Sequence, residues 1–275
     1  MKPVLLGMLA ESALHHGAGR SAGIIDLPVA REAATDVPFI AGSGVKGALR
    51  DRARQLDRDD TEIRRCFGEQ DHAGLLSIAD ARLLLLPVRS LTGSYKWLTC
   101  PLLLERYRRD LARCGIGTVV PRVEVPVRDD RSGAVAAGTG TLFLEERELV
   151  VAAALPNGLT AAIAPLLRHD DTRKRLGGQL VVVSDDDFAW FCRYALPIAA
   201  RNFLERDTKI SKNLWYEESL PPDTVLYTLV MARDDASATS LTTLFPNKDP
   251  YLQLGGNETV GHGWVAITVQ AGGAA

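Results

Sequence analysis

The sequence predicts a folded chain that mixes β-strands with α-helices. Three observations carry this expectation. Hydrophobic residues make up 46% of the 275 positions and charged residues 24%, with mean hydropathy near zero, which is ordinary globular composition rather than that of a disordered or collagen-like chain. Apolar runs bounded by Gly and Pro alternate with segments of helical periodicity. The longest clean apolar run is about 149–155, far short of the roughly 18 to 20 residues a membrane helix needs, so membrane spanning is excluded. The length suits one elaborated domain as well as two smaller ones, and neither an internal repeat nor a linker between compact halves is visible.

In chain order, residues 3–14 read as a buried strand that breaks into the turn Leu14-His15-His16-Gly17-Ala18-Gly19, where glycine permits close backbone approach. The loop over 20–32 carries one isolated carboxylate, Asp26, inside Gly23-Ile24-Ile25-Asp26-Leu27-Pro28. A short extended entry at 37–40 leads into Ala41-Gly42-Ser43-Gly44-Val45-Lys46-Gly47-Ala48-Leu49-Arg50, read as a helix capped by Ser43. Val45, Leu49, Ala53 and Leu56 form its buried stripe, while Lys46, Arg50, Arg54 and Arg58 form a basic ridge beside it. The segment lacks the Gly-Lys-Ser/Thr of a P-loop, which disfavours ATP binding.

Residues 75–88 read as one long buried strand ended by Pro87, and 101–114 as a helix with Leu103, Leu104, Tyr107 and Leu111 on its apolar face. Gly, Pro and Val dominate 119–145, suggesting inserted strands and loops. Strands are expected at 149–155 and 179–184, the second entering a helix over 185–199 through Ser184 and Asp185-Asp186-Asp187. That acidic triplet reads as a cap with dipole partners rather than a metal cluster. Residues 202–215 carry Arg206, Lys209 and Lys212 among sparse apolar positions and read as an exposed hairpin. A strand at 225–232, a glycine-rich loop at 252–264, a last strand at 265–269 and a frayed tail at 271–275 complete the chain.

The net charge of −2 conceals 25 arginines against seven lysines. The guanidinium fork grips phosphate and stacks on bases, although a GC-biased genome yields the same excess. Cys66, Cys100, Cys114 and Cys192 are widely spaced without a C-x-x-C pair, which points to a reducing, cytoplasmic setting. The short apolar run at 4–10 mimics a secretory signal only weakly and lacks a cleavage site.

Two segments, Gly42-Ser43-Gly44-Val45-Lys46-Gly47-Ala48-Leu49-Arg50 and Leu254-Gly255-Gly256-Asn257-Glu258-Thr259-Val260-Gly261-His262-Gly263-Trp264, resemble the hallmark segments of the RAMP superfamily. Between them, 80–90, Trp97-Leu98-Thr99-Cys100-Pro101 and Leu214-Trp215-Tyr216-Glu217-Glu218-Ser219-Leu220-Pro221 resemble the family of repeated backbone subunits of the Cmr, or type III-B, CRISPR effector complex. The likeness runs over nearly the whole chain.

This resemblance implies an α+β fold: one domain over 1–275 with a modified RRM-like, ferredoxin-like core, an inserted region over 89–145 and a protruding hairpin thumb over about 199–216. It implies copies stacked along a CRISPR guide RNA with other Cmr subunits. Complementary target single-stranded RNA would be cut at regular intervals in a reaction dependent on Mg²⁺ or another divalent cation. Asp26 falls at the family's catalytic aspartate and is a candidate metal ligand, and His15 fits an auxiliary catalytic role or a structural or RNA-contacting one. Ser43, Gly44, Lys46, Arg50 and Arg54 match the guide-gripping segment, with Arg206, Lys209 and Lys212 on the hairpin as further RNA contacts, while Gly255 and Gly256 in the terminal loop either offer N–H groups to RNA or permit tight packing against the core. Glu217 and Glu218, at the hairpin base, are structural or auxiliary. Two rival readings remain: a non-catalytic guide-RNA-binding structural subunit, and a metal-independent guide-processing endonuclease.

Overall fold

The computed structural model describes residues 1–21, 23–126 and 132–273. In chain order the strands and helices are β1 (Lys2–Ala10), β2 (Phe39–Ile40), α1 (Gly42–Gln55), α2 (Asp60–Phe67), β3 (Leu76–Ile78), β4 (Ala81–Arg89), β5 (Tyr95–Thr99) and α3 (Pro101–Arg113). There follow β6 (Gly133–Ala136), β7 (Gly140–Leu144), β8 (Arg147–Ala153), α4 (Leu159–Ile163), α5 (Asp170–Gln179), β9 (Leu180–Val183) and α6 (Asp185–Tyr194). The chain closes with β10 (Ile198–Leu204), β11 (Ser211–Glu218), β12 (Val225–Ala232), α7 (Asp235–Thr242), β13 (Tyr251–Gln253) and β14 (Trp264–Ala271).

The centre of the large sheet runs β14-β1-β12-β4, and β1 is antiparallel to both β12 and β14 while β12 is antiparallel to β4. With α1 following β1 and α7 following β12, this is the β-α-β-β-α-β order of a ferredoxin-like core. The chain is thus α+β, as expected. Everything from β5 to β11 is interposed between two neighbouring central strands. Part of it, β5-β9-β6-β8-β7, continues the same sheet, and part forms the separate β10–β11 hairpin. The expected inserted region at 89–145 is the first stretch of this longer excursion, and its residues 127–131 lie outside the described residues.

Both faces of the central sheet are covered, so its strands are buried almost throughout: eight of the nine β1 residues and seven of the eight β12 residues. One face carries α1 and α7. The buried Arg52 of α1 spans to the segment after α7, donating to the Leu244 carbonyl at 3.3 Å and to the Asp249 carboxylate at 2.6 Å. On the other face, Gly7 of β1 pairs with Tyr227 of β12. A Cβ at Gly7 would lie 2.8 Å from Leu166 Cα, so only glycine admits the short 3-10 turn Ala164–Leu166 against the sheet. Tyr227 stacks edge-on with Tyr107 of α3 and donates its hydroxyl to Asp110 at 2.9 Å. All four cysteines are buried and unpaired, and burial pushes the Cys192 thiol up to about 12.

Several expectations need correction. The strand expected at 75–88 is two strands, β3 and β4, interrupted at Ala79-Asp80, and Pro87 lies inside β4 opposite Trp97. Ser43 does not cap α1: it sits in the first turn, and Gly42 N–H instead donates to Asp80 Oδ1 at 2.7 Å. The helix over 185–199 ends at Tyr194, because a proline at 197 disfavours helical backbone before it. Ser184 does cap that helix, accepting from Asp187 N–H at 3.1 Å. β5, α2, α4, α5, α7 and β13 were not expected, although α7 carries a complete capping box between Asp234 and Ser237. The tail forms strand to Ala271, and residues 274–275 lie outside the described residues.

Candidate active site

Asp26 lies in the connection between β1 and β2, in which no described residue is helix or strand. Three isolated bridges shape the first part of this connection: Leu14 with Leu220, Gly17 with Val29, and Leu27 with Glu217. The last is parallel and zips the Asp26 loop onto β11. Leu27 N–H donates to Tyr216 O at 3.0 Å, Glu218 N–H to Leu27 O at 3.0 Å, and Tyr216 N–H to Asp26 Oδ2 at 2.8 Å. The carboxylate is therefore held by the backbone of the hairpin root, and its second oxygen has no hydrogen-bond partner among the described residues.

Asp26 lines a cleft of about 320 Å³ together with Arg20, Asn213, Trp215, Glu217 and Asn257. Strand alternation decides which hairpin residues reach it, since successive side chains point to opposite sides. Glu217 points inward, buried, where Asn257 Nδ2 donates to its Oε1 and Arg201 reaches the same oxygen at 3.4 Å. Arg201 also contacts His262 Nε2 at 3.4 Å. Glu218 points the other way: Arg31 pairs with its Oε1 at 2.8 Å and Val29 N–H donates to its Oε2 at 3.1 Å. Of the two neighbouring glutamates, one belongs to the cleft and the other to the scaffold.

His15 is nine-tenths buried, with Nδ1 2.7 Å from the Glu218 carbonyl, and does not line the cleft. Gly255 and Gly256 close over it. Gly256 N–H donates to His15 O at 2.9 Å, and a Cβ at Gly255, whose φ is +80°, would fall 2.3 Å from that oxygen. These glycines serve close packing in the structure, and the Gly256 donor is spent. The same terminal loop delivers Asn257 to the cleft and sets His262 against Arg201, which also reaches Glu217. Their roles were not singled out from sequence, although both residues stand in the glycine-rich segment that carries the resemblance.

The basic residues on and just after α1 divide cleanly. Arg54 pairs with Asp51 at 2.9 Å, Arg58 bonds Thr243 at 2.9 Å, and Arg52 is committed to Asp249. Lys46 and Arg50 have no ion pair among the described residues, and Arg50 Nε is buried without a partner. At the helix start, Asp80 already supplies the negative charge that the macrodipole attracts, beside exposed Ser43 and Gly44. On the hairpin, Lys212 pairs with Glu205 at 2.6 Å, whereas Arg206 and Lys209 project freely among the described residues. The ordinary RNA-binding face of an RRM is its open sheet. Here that face is covered by α3 and the 3-10 turn.

Among the described residues no cluster of three or more His, Cys, Asp or Glu side chains could hold a metal ion. Two carboxylates on one cleft, Asp26 and Glu217, nevertheless suit Mg²⁺, which keeps several waters and takes one or two protein carboxylates plus substrate phosphate. They do not suit a closed protein cage. No described helix is long and apolar enough to cross a membrane.

The RAMP superfamily model matches residues 9–266. The chain is 32% identical to the CRISPR system Cmr endoribonuclease Cmr4 of Pyrococcus furiosus over 287 aligned residues, covering 98% of this chain and 96% of that relative. The crystal structure of oligomeric Cmr4 from the same organism superimposes with a TM-score of 0.75 at 27% identity, covering all of both chains. A chain of the type III-B Cmr-beta complex bound to cognate target RNA shares the fold, with a TM-score of 0.76 at 20% identity over 97% of this chain and 96% of that one.

Proposed function

The chain belongs to the RAMP superfamily, and from that premise we propose that it is an RNA-cleaving backbone subunit of a type III-B Cmr complex. Copies of it, with other Cmr subunits, would hold a guide RNA and cut the paired target RNA. The observation that carries the chemistry is the attachment of Asp26 to the root of the β10–β11 hairpin, beside a cleft that also presents Glu217 and Arg20. A hairpin that displaces nucleotides and a carboxylate fixed to its base would put chemistry at one defined point per subunit.

The reaction this arrangement supports is transesterification within the target strand. The free oxygen of Asp26 takes the proton of a ribose 2′-hydroxyl. O2′ then bonds to the adjoining phosphorus while the P–O5′ bond breaks, and the leaving O5′ takes a proton from water. A hydroxyl placed in line gains most of its advantage from orientation, and the cationic Arg20 meets the phosphate oxygens. Arg201 and Asn257 hold Glu217 in place. Asp26 and Glu217 are the residues that would hold a divalent cation, which when bound supplies positive charge at the phosphate.

The test is Asp26→Asn in the reconstituted complex, with and without EDTA. Cutting by the Asn variant should fall about 10²-fold or more, all regularly spaced cuts should vanish together, and guide and target affinity should stay within a few-fold. EDTA should stop wild-type cutting while leaving RNA bound. Wild-type rates from the Asn variant would leave a structural, non-catalytic subunit as the better reading.

A further inference from the structure

No described residue of the Asp26 loop lies in a helix or strand, so its position depends on what ties it down. Two of its ion pairs reach helices: Glu32 to Arg106 of α3 at 2.7 Å, and Asp36 to Arg193 of α6 at 2.7 Å. Arg31 is different, because it joins the loop to the hairpin strand. Its NH1 donates to Asp36 O at 3.1 Å and to Cys192 O, in the last turn of α6, at 2.8 Å, while its NH2 pairs with Glu218 Oε1 at 2.8 Å. The other Glu218 oxygen accepts Val29 N–H at 3.1 Å. Arg31 and Glu218 are both largely buried, at 17% and 3% side-chain exposure, so the pair is shielded from water and salt.

We infer that Arg31 is a positioning residue for cleavage: through Glu218 it locks the loop against β11 so that the Asp26 carboxylate stays on the Tyr216 amide and faces the cleft. This rests on the cleavage role assigned to Asp26. Arg31 does not line the cleft and touches no reacting atom. The planar fork serves acceptors on three segments at once: its own loop, α6 and β11. Lysine, with one compact ammonium, cannot reproduce that geometry.

The experiment uses the assembled complex and single-turnover cutting of target RNA. Arg31→Met and Arg31→Lys should both lower the rate at saturating target by about 10- to 100-fold, the range for lost supporting contacts around a reactive group. The half-saturating target concentration should move less than about threefold. Hydrogen exchange over 23–30 should quicken while β1 and β12 stay protected. Placed in the Asp26→Asn chain, Arg31→Met should lower residual cutting no further, because the residue acts only through Asp26.

Unchanged cutting by Arg31→Lys, a loss expressed mainly in half-saturation, unchanged exchange over 23–30, or an additive loss in the Asp26→Asn chain would each overturn the inference. If Arg31→Met fails to assemble, the Lys variant decides. Wild-type cutting by Asp26→Asn alone would instead remove the cleavage role itself, so the two failures are told apart.

Discussion

His15 and His16 are adjacent, yet they serve different partners. His15 is packed against the Glu218 carbonyl, whereas His16 Nε2 accepts Ala41 N–H at 3.0 Å just before α1. Burial, reinforced by the neighbouring His15, holds the His16 imidazole below its ordinary value, and Asp80 only partly opposes this. The unfolded chain then binds a proton at a higher pH than the folded one does. Stability therefore falls as pH drops from about 7 through the ordinary histidine value of about 6.5, and the loss is complete below the lowered folded value. Protonation also removes the acceptor that Ala41 uses. Thermal unfolding at pH 7.5 and 5.5 should show a larger loss in wild type than in His16→Gln, whose amide oxygen accepts the same N–H without titrating. Identical pH dependence in the two chains would refute this account. Asp26 stood out in the sequence as a lone carboxylate among apolar neighbours. Its partner Tyr216 did not, because the two are 190 positions apart and meet only through the parallel bridge.

Helix α1 was legible from its apolar stripe, but its cap was not. Sequence patterning nominates Ser43, the nearest hydroxyl, while the fold supplies Asp80 from the break between β3 and β4. Asp80→Ala should therefore destabilise the chain by about 0.5–2 kcal/mol in denaturant unfolding, the range for a lost N-cap, whereas Ser43→Ala should change it by far less. Equal effects would return the cap to Ser43. The β10–β11 hairpin was legible for a different reason: charged tip residues and few core-facing apolar positions mark a segment that does not pack inward. Phe203 and Ile210 remain 60% and 63% exposed, so the hairpin presents apolar groups outward. Replacing 206–212 with an Asn-Gly turn should leave the core's melting temperature unchanged but blur the spacing of target cuts. Intact spacing would mean that this hairpin does not set it.

Across the molecule, arginine abundance says little until partners are counted. Among the described residues Lys46 and Arg50 have no ion pair, while Arg52, Arg54 and Arg58 are committed within the protein. Replacing Lys46 and Arg50 together by Ala should weaken guide binding across sequences and lower the salt slope by about one to two units, as expected for two lost contacts to single-stranded RNA. Replacing Arg54 alone should leave that slope unchanged, and a slope indifferent to the double change would exclude α1 from the guide path. Local pattern was enough for the strands at β1, β9 and β12, for the helices α1 and α3, and for the motif residues of the two hallmark segments. The strands and helices follow from hydrophobic periodicity and short-range turn chemistry, which a linear chain displays directly, and the motif residues from their resemblance to a known family. Tertiary structure alone decided that both sheet faces are covered, that Glu217 faces the cleft while Glu218 faces Arg31, and that Arg20, Asp26, Glu217 and Asn257 share one cleft. Such contacts join residues far apart in the chain, and strand register, which turns every side chain to one face or the other, is fixed by the whole sheet rather than by any segment within it.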